Sequence, residues 1–227
     1  MPMSALPQAF AGLPIEAKMA ASSRRDDFAG PIELMGARMT FQRNAEIYGE
    51  DEPADYLYKV VSGAVRTCKV TSDGRRQIGG FYLPGDIFGL EAGEAHAFSA
   101  EAIGEAIVLV VKRKPLMALA ERDGEVARQL WASTAAELNR AQGRLLLLIK
   151  SAQERVAGFL LEMARRCPSQ PAIDLPMTRQ DIGEYLGLTI ETVSRTLTGM
   201  QEIALIELAT SRHIVLRNRA ALEQLGH

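Results

Sequence analysis

The stretch Thr178–Met200, TRQDIGEYLGLTIETVSRTLTGM, admits few folds. Thr178 suits a helix N-cap, and Asp181 stands three residues on, where a capping box needs a carboxylate. Ile182 and Leu186 share a face at i,i+4. Gly187 then breaks the run, as a residue just past a helix end often takes φ > 0. Thr189 is a second N-cap candidate, and helical spacing resumes at Ile190. Val193, Leu197 and Met200 fall on one side of this second helix, and Glu191, Ser194 and Arg195 on another. Two short helices around a tight turn make a helix-turn-helix, whose second helix lies in the DNA major groove with its first turns against base edges.

The exposed side chains suit that task. Arginine donates two bonds to O6 and N7 of guanine, glutamate accepts from N4 of cytosine, and serine serves either edge. Each good bidentate pair supplies roughly 1–3 kcal/mol of discrimination. A solvated Glu191–Arg195 pair at i,i+4, worth about 0.3–0.5 kcal/mol, would leave the same spacing. Candidates for phosphate contact, which positions a protein without reading sequence, are Arg179, Gln180, Thr189, Thr192, Ser211 and Arg212.

The run RQDIGEYLGLTIETVSRTL resembles the DNA-binding helices of the CRP/FNR regulator family. Its ExxSR arrangement at Glu191, Ser194 and Arg195 is similar to that of the FNR and FixK branches. In the CRP branch the residue before the glutamate is usually arginine and the position of Ser194 is usually glycine, so Ile190 and Ser194 depart from it. The resemblance implies an FNR-like half-site of the type TTGA, inverted and repeated.

A chain of 227 residues predicts two domains or one large one. The apolar runs Ala106–Val111 and Leu145–Ile149 are far shorter than a membrane span. The start, MPMSALPQAF, lacks a basic region followed by an apolar core, so no secretory signal is read there. Cys68 and Cys167 make no disulfide framework. A cytoplasmic protein without membrane contact is expected. Net charge is −2, and residues 144–227 carry ten Lys/Arg against nine Asp/Glu. That near-neutrality argues against a tight non-specific polyanion binder. It leaves room for a dimer with a few aimed contacts and salt-sensitive affinity.

Residues 1–35 hold prolines at 2, 7, 14 and 31 and a polar cluster Ser22–Asp27. The first part should be loosely held, with a turn of helix over Ile15–Met19. From Gly36 to about Lys114 the pattern predicts strands over Asp55–Ser62, Ala64–Thr71, Gln77–Leu83 and Ala106–Lys112. Ser72-Asp73-Gly74-Arg75 and Pro84-Gly85-Asp86 are turn signals. Short, evenly spaced strands suggest a sandwich or jelly roll. The run SGAVRTCKVTSDGRRQIGGFYLPGDIFGLE resembles the cyclic-nucleotide-binding roll of the same family. Members that bind the nucleotide place a glutamate and an arginine after the PGD turn. Glu91 sits near the glutamate position, but no Lys or Arg occurs between Arg76 and Lys112. A phosphate there would meet carboxylates rather than charge-assisted donors.

Other cofactors find little support. An iron–sulfur cluster normally needs four cysteines, and Cys68 in a strand reads as a small buried hydrophobe. Cys167 reads as a surface thiol. The histidines His96, His213 and His227 lack partners at ligand spacing, although His96 could serve as a haem ligand. No cofactor and no metal are expected. An enzyme of the cupin type would need clustered His and Glu ligands in the roll.

From Gly124 to Lys150 a helix is predicted. Ala127, Trp131, Thr134, Leu138, Ala141, Leu145 and Leu148 follow heptad spacing, the pattern of a dimer seam; packing on the same domain would also use such a stripe. The resemblance implies a long helix crossing its twin in a homodimer, with Trp131 and Leu138 as anchors. A second helix covers Ser151–Arg166, with Val156, Phe159, Leu160 and Met163 buried. A loop Cys167–Pro171, a strand Ile173–Leu175 and the helix-turn-helix follow. Strands Ile203–Leu208 and Ile214–Leu216, joined by Ala209–His213, read as a wing, and Arg219–Leu225 as a terminal helix.

The expected fold is α+β. It has an N-terminal segment (1–35), a β-roll or jelly roll (36–123), a dimerisation helix (124–150) and a winged helix-turn-helix (151–227). The expected function is a DNA-binding transcription regulator, not an enzyme. It would act as a homodimer on double-stranded DNA, with RNA polymerase as a further partner. A FixK resemblance implies activation of genes for low-oxygen respiration, denitrification or nitrogen fixation. The alternative is a sensor whose roll binds a small molecule or haem and switches DNA affinity.

Overall fold

The computed structural model describes residues 30–147, 149–166 and 172–226. The predicted turn at Ile15–Met19, the loop Cys167–Pro171, Leu148 and His227 lie outside them. The elements run α1 (Pro31–Met35), β1 (Gly36–Phe41), β2 (Glu46–Tyr48), β3 (Tyr56–Ser62), β4 (Val65–Val70), β5 (Arg76–Tyr82), β6 (Ile87–Phe88), β7 (Ser99–Ala102) and β8 (Ala106–Lys112). Helices α2 (Arg113–Ala120), α3 (Gly124–Leu147) and α4 (Ala152–Arg166) come next, then β9 (Ala172–Asp174), α5 (Arg179–Leu186), α6 (Ile190–Glu202), β10 (Ile206–Leu208), β11 (His213–Leu216) and α7 (Arg219–Gly226).

The described chain falls into two compact units. One holds the described residues through Thr67 together with Pro84–Trp131; the other holds Cys68–Leu83 together with those from Ala132 onward. In the first unit the apolar run Ala106–Val111 becomes an inner strand. It pairs antiparallel with β1 on one side and β3 on the other, in the order β1-β8-β3-β6. A continuous apolar run bounded by turns suits a strand covered on both faces. Register is set by Leu57 opposite Val111 and Val60 opposite Val108, with a bulge before Ser62. Ile32, Leu57, Leu109, Val111 and Leu116 pack with Val126 and Leu130 of the first turns of α3. The second sheet runs β2-β7-β4-β5, completing a β-roll. Cys68 is buried in β4, as its strand position predicts.

Several elements escaped the sequence pattern. Strands β2, β6 and β7 have two to four residues, too few to show alternation. Helix α2 follows β8 without an N-cap hydrogen bond from a side chain. The predicted strand Ile203–Leu208 is corrected to Ile206–Leu208. Ile203 caps α6, and Ala204 takes a left-handed φ of 56° that turns the chain out of the helix. The residues before β10 are thus turn, not ladder.

Helix α3 is 24 residues long, about 36 Å at 1.5 Å per residue. It carries two stripes. Val126 and Leu130 are buried, and Ser133, Glu137, Arg140 and Arg144, which continue their helical row, are half-buried. About 90° around the helix lies the heptad row. On it Trp131 is 75% exposed, Leu138 57% and Leu145 64%, with Thr134 also open and Ala127 and Ala141 half-buried.

One buried polar group in the first unit has no ordinary partner. His96 is 1% exposed, stacks on Tyr48 at 3.6 Å between ring centroids, and has neither ring nitrogen hydrogen-bonded. Glu91 Oε1 approaches Nδ1 only to 3.5 Å. Burial holds the imidazole below its usual pKa, against the opposing pull of Glu91. The folded state therefore prefers neutral His96, while the unfolded chain protonates normally. Its contribution is complete above about pH 6.5 and falls away as pH drops below that value. Urea unfolding of the wild type should show this acid-side loss, and His96→Phe should flatten the profile between pH 7 and 5.

Candidate nucleic-acid interface

Local chemistry builds the helix-turn-helix from both ends. At Thr178 the capping box is complete. The Asp181 N–H donates to Thr178 Oγ1 at 3.1 Å, and Thr178 N–H donates back to Asp181 Oδ2 at 2.9 Å. At the other end of α5, Gly187 is left-handed (φ 67°, ψ 37°) and its N–H donates to Gly183 O. The turn then folds tightly on the helix. A Cβ on Gly183 would stand 2.6 Å from Leu188 O, so only glycine permits this approach. Leu188 N–H donates to the same Gly183 carbonyl at 2.9 Å.

Thr189 caps α6 by accepting from Thr192 N–H at 3.2 Å, and the two hydroxyls share a 3.1 Å bond. Val193, Leu197 and Met200 are buried, as are Ile182, Tyr185 and Leu186 of α5. With that stripe turned inward, Glu191 and Arg195 are exposed and Ser194 half-exposed. The three predicted base readers thus share the free side of one capped helix. Hydrogen bonds at the helix start, from its own backbone N–H and from Thr189, hold the Glu191 carboxyl below its usual pKa. It is an ionised acceptor at neutral pH. Thr198 Oγ1, one turn further along α6, donates to the Ser194 backbone carbonyl at 3.1 Å.

The predicted phosphate contacts sit on three pieces of backbone. Arg179 opens α5 half-buried, its Nε without a partner, and Gln180 is exposed with Nε2 donating to Glu184 Oε1 at 3.0 Å. Thr189 and Thr192 flank the start of α6. Ser211 and Arg212 are exposed in the turn between β10 and β11.

That wing is ordered by residues the sequence reading passed over. Thr210 Oγ1 accepts from the N–H groups of Arg212 (3.2 Å) and His213 (2.9 Å), a local turn whose sequence sign is the threonine two residues before the arginine. His213 Nδ1 lies 2.6 Å from Asp174 Oδ1, across the β9–β11 pairing. Gln201 Oε1 of α6 accepts from Leu208 N–H at 2.9 Å, tying the β10–β11 hairpin to α6.

In the first unit, the loop after β6 turns its polar groups on itself. The Glu91 carboxylate accepts from Ala97 N–H at 3.4 Å, and Arg113 donates to the carbonyls of Glu91 and, at 2.9 Å, Gly93. The nearby arginine thus holds loop backbone, and the Glu91 side chain, near the family's glutamate position, closes its own loop.

Comparison with known proteins finds a family model for the roll and another for the helix-turn-helix. A Crp-like helix-turn-helix domain model matches residues 154–225, and a cyclic nucleotide-binding domain model matches 38–123. The chain is 51% identical over 217 residues to the nitrogen fixation regulation protein FixK of Azorhizobium caulinodans, covering 92% of this chain and 88% of that one. It is 41% identical over 199 residues to the FixK of Rhizobium meliloti, covering 86% and 91%. The solved structure of FixK2 from Bradyrhizobium japonicum is similar with a TM-score of 0.81 at 53% identity, covering 85% of this chain and 98% of that one.

Gly183 offers a local test. Gly→Ala in a helix normally gains up to about 1 kcal/mol. Here the added methyl meets a carbonyl oxygen, and the sign should reverse, to a loss of about 1–3 kcal/mol. Thermal unfolding of Gly183→Ala, followed by circular dichroism, should show the lowered midpoint, with Gly199→Ala, where nothing lies within 4 Å, as control.

Proposed function

The chain belongs to the CRP/FNR family of transcription regulators and to its FixK branch, and from that premise we propose how it reads DNA. It is a DNA-binding regulator of the FixK/FNR type. It binds a TTGA-type inverted repeat as a homodimer, with Glu191, Ser194 and Arg195 choosing bases. Arg179, Gln180, Thr189, Thr192, Ser211 and Arg212 hold phosphates. The observation that carries it is the exposure of those three side chains on α6, opposite a fully buried Val193–Leu197–Met200 stripe.

The homodimer rests on α3. Large apolar side chains are seldom left in a row on a helix surface, yet Trp131, Leu138 and Leu145 are all more than half exposed at heptad spacing. Pairing two copies along this row would bury them by knobs-into-holes packing. Two reading helices related by a twofold axis would meet half-sites about 34 Å apart.

The domains take these roles: 36–123 scaffold, 124–150 dimerisation and 151–227 DNA binding. The FixK kinship supports the further reading that it activates, through RNA polymerase and in the cytoplasm, genes for low-oxygen respiration, denitrification or nitrogen fixation. The self-closed Glu91 loop favours a roll that acts as scaffold over one that binds a cyclic nucleotide.

Two variants separate the parts of this reading. Arg195→Ala should lose about 1–3 kcal/mol of specific binding per half-site, roughly 2–6 over a TTGA palindrome, while its dimer persists; a gel-shift titration against a scrambled duplex measures this, and unchanged specificity removes Arg195 from the base contacts. Leu138→Asp should move the protein to monomer on analytical ultracentrifugation and weaken palindrome binding. A dimer of wild-type strength would refute the α3 seam.

A further inference from the structure

Arg76 lies in β5, far in sequence from the helix-turn-helix, yet its side chain ends on α5. Nη2 donates to Asp181 Oδ1 at 3.0 Å and Nε donates to Glu184 Oε2 at 2.7 Å. Asp181 is the capping-box carboxylate, with its side chain 1% exposed. Its other oxygen, Oδ2, already accepts from Thr178 N–H and from Thr178 Oγ1 at 2.7 Å. One guanidinium thus bridges the first and second turns of α5. The next residue extends the grip, since Gln77 Nε2 donates to Glu184 O at 2.6 Å.

The rest of β5 shows that this is a built contact. β5 is the last strand of its sheet, so one edge presents unpaired carbonyls. Arg144 of α3 donates to Gly79 O, and Arg166 of α4 donates to Phe81 O at 2.7 Å. These carbonyls are two residues apart and fall on the same side of the strand. Phe81 packs against Tyr185 of α5 at 5.1 Å and Phe159 of α4 at 6.2 Å between ring centroids. The Arg144 guanidinium lies 5.4 Å over the Tyr185 ring. Hairpin residues Cys68–Leu83 accordingly belong to the same compact unit as the helix-turn-helix.

We propose that Arg76 is a positioning residue for DNA reading, which locks α5 and, through the tight turn at Gly183 and Gly187, sets the orientation of α6. It acts without touching DNA, because its donors are turned to two carboxylates. A buried carboxylate such as Asp181, stripped of its cation, is left uncompensated and drives the helix start to rearrange. The proposal rests on α6 being the reading helix. It adds that a strand of the roll fixes how that helix is presented.

The full-length protein tests this through affinity for the TTGA palindrome, the salt dependence of that affinity and the melting temperature. Arg76→Ala should weaken palindrome binding about tenfold, with the slope of log K against log salt unchanged. In a Glu184→Ala background, the same substitution should weaken it distinctly less than tenfold, since half of the bridge is already gone. Gln77→Ala, a milder change, should weaken binding a few-fold at unchanged melting temperature, and it carries the test if Arg76→Ala does not fold. Wild-type affinity in Arg76→Ala, or in folded Gln77→Ala, overturns the proposal. So does a loss accompanied by a slope shallower by about 1.8, the mark of one phosphate contact removed from each protomer of the dimer. Failure of the wild type to prefer the palindrome would instead strike the reading-helix premise.

Discussion

The Asp181 carboxylate joins two structural tasks that are usually separate. One oxygen closes the N-terminal cap of α5 with Thr178, and the other receives the Arg76 guanidinium from β5. A carboxylate with almost no exposure survives burial only when its lone pairs are met by donors and its charge by a cation. Here the cap supplies donors from the same helix, and the strand supplies the charge. The start of the helix-turn-helix is therefore set by local sequence and by a distant hairpin together. The geometry of Glu191, Ser194 and Arg195 depends on this start, because the turn into α6 leaves little freedom between Gly183 and Thr189.

The same constraint explains why the hairpin and the C-terminal part form one compact unit. An edge strand exposes polar backbone that water or another group must satisfy. Along β5 the satisfying groups at Gly79 and Phe81 are arginines of α3 and α4, with aromatic rings filling the space between. Burial pushes the Tyr185 phenol up to about 12, so it stays neutral and serves as a packing ring. At the hairpin tip, bonds from Thr71 and Arg75 hold the Asp73 carboxyl down near 2.

Helix α3 divides its surface between two uses. One row, from Val126 and Leu130 toward Arg144, packs on the chain itself; the other, through Trp131, Leu138 and Leu145, is left open. A single amphipathic stripe would be satisfied by the fold alone. A quarter-turn away Trp131, Leu138 and Leu145 stay more than half exposed at heptad spacing, which is the physical argument for the twin proposed above. The roll, meanwhile, closes its Glu91 loop on its own backbone and buries a neutral His96 against Tyr48.

Much of this was legible in residue order, where the deciding forces are local. Caps at Thr178 and Thr189, the left-handed Gly187, the buried Val193–Leu197–Met200 stripe, the turn at Ser72–Arg75 and the heptad row of α3 all depend on neighbours within four or seven positions. Strands β3, β4, β5 and β8 announced themselves by length and apolar content. The short strands β2, β6 and β7 did not, because two to four residues carry no periodicity and exist only through their pairing. Nor could residue order reveal that Arg76 would meet Asp181, 105 positions away, or that Arg113 would hold the Glu91 loop. Spacing states which faces a segment has; only the folded chain decides what each face meets, since the energy of a buried charge or an open strand edge is settled by groups brought together from afar.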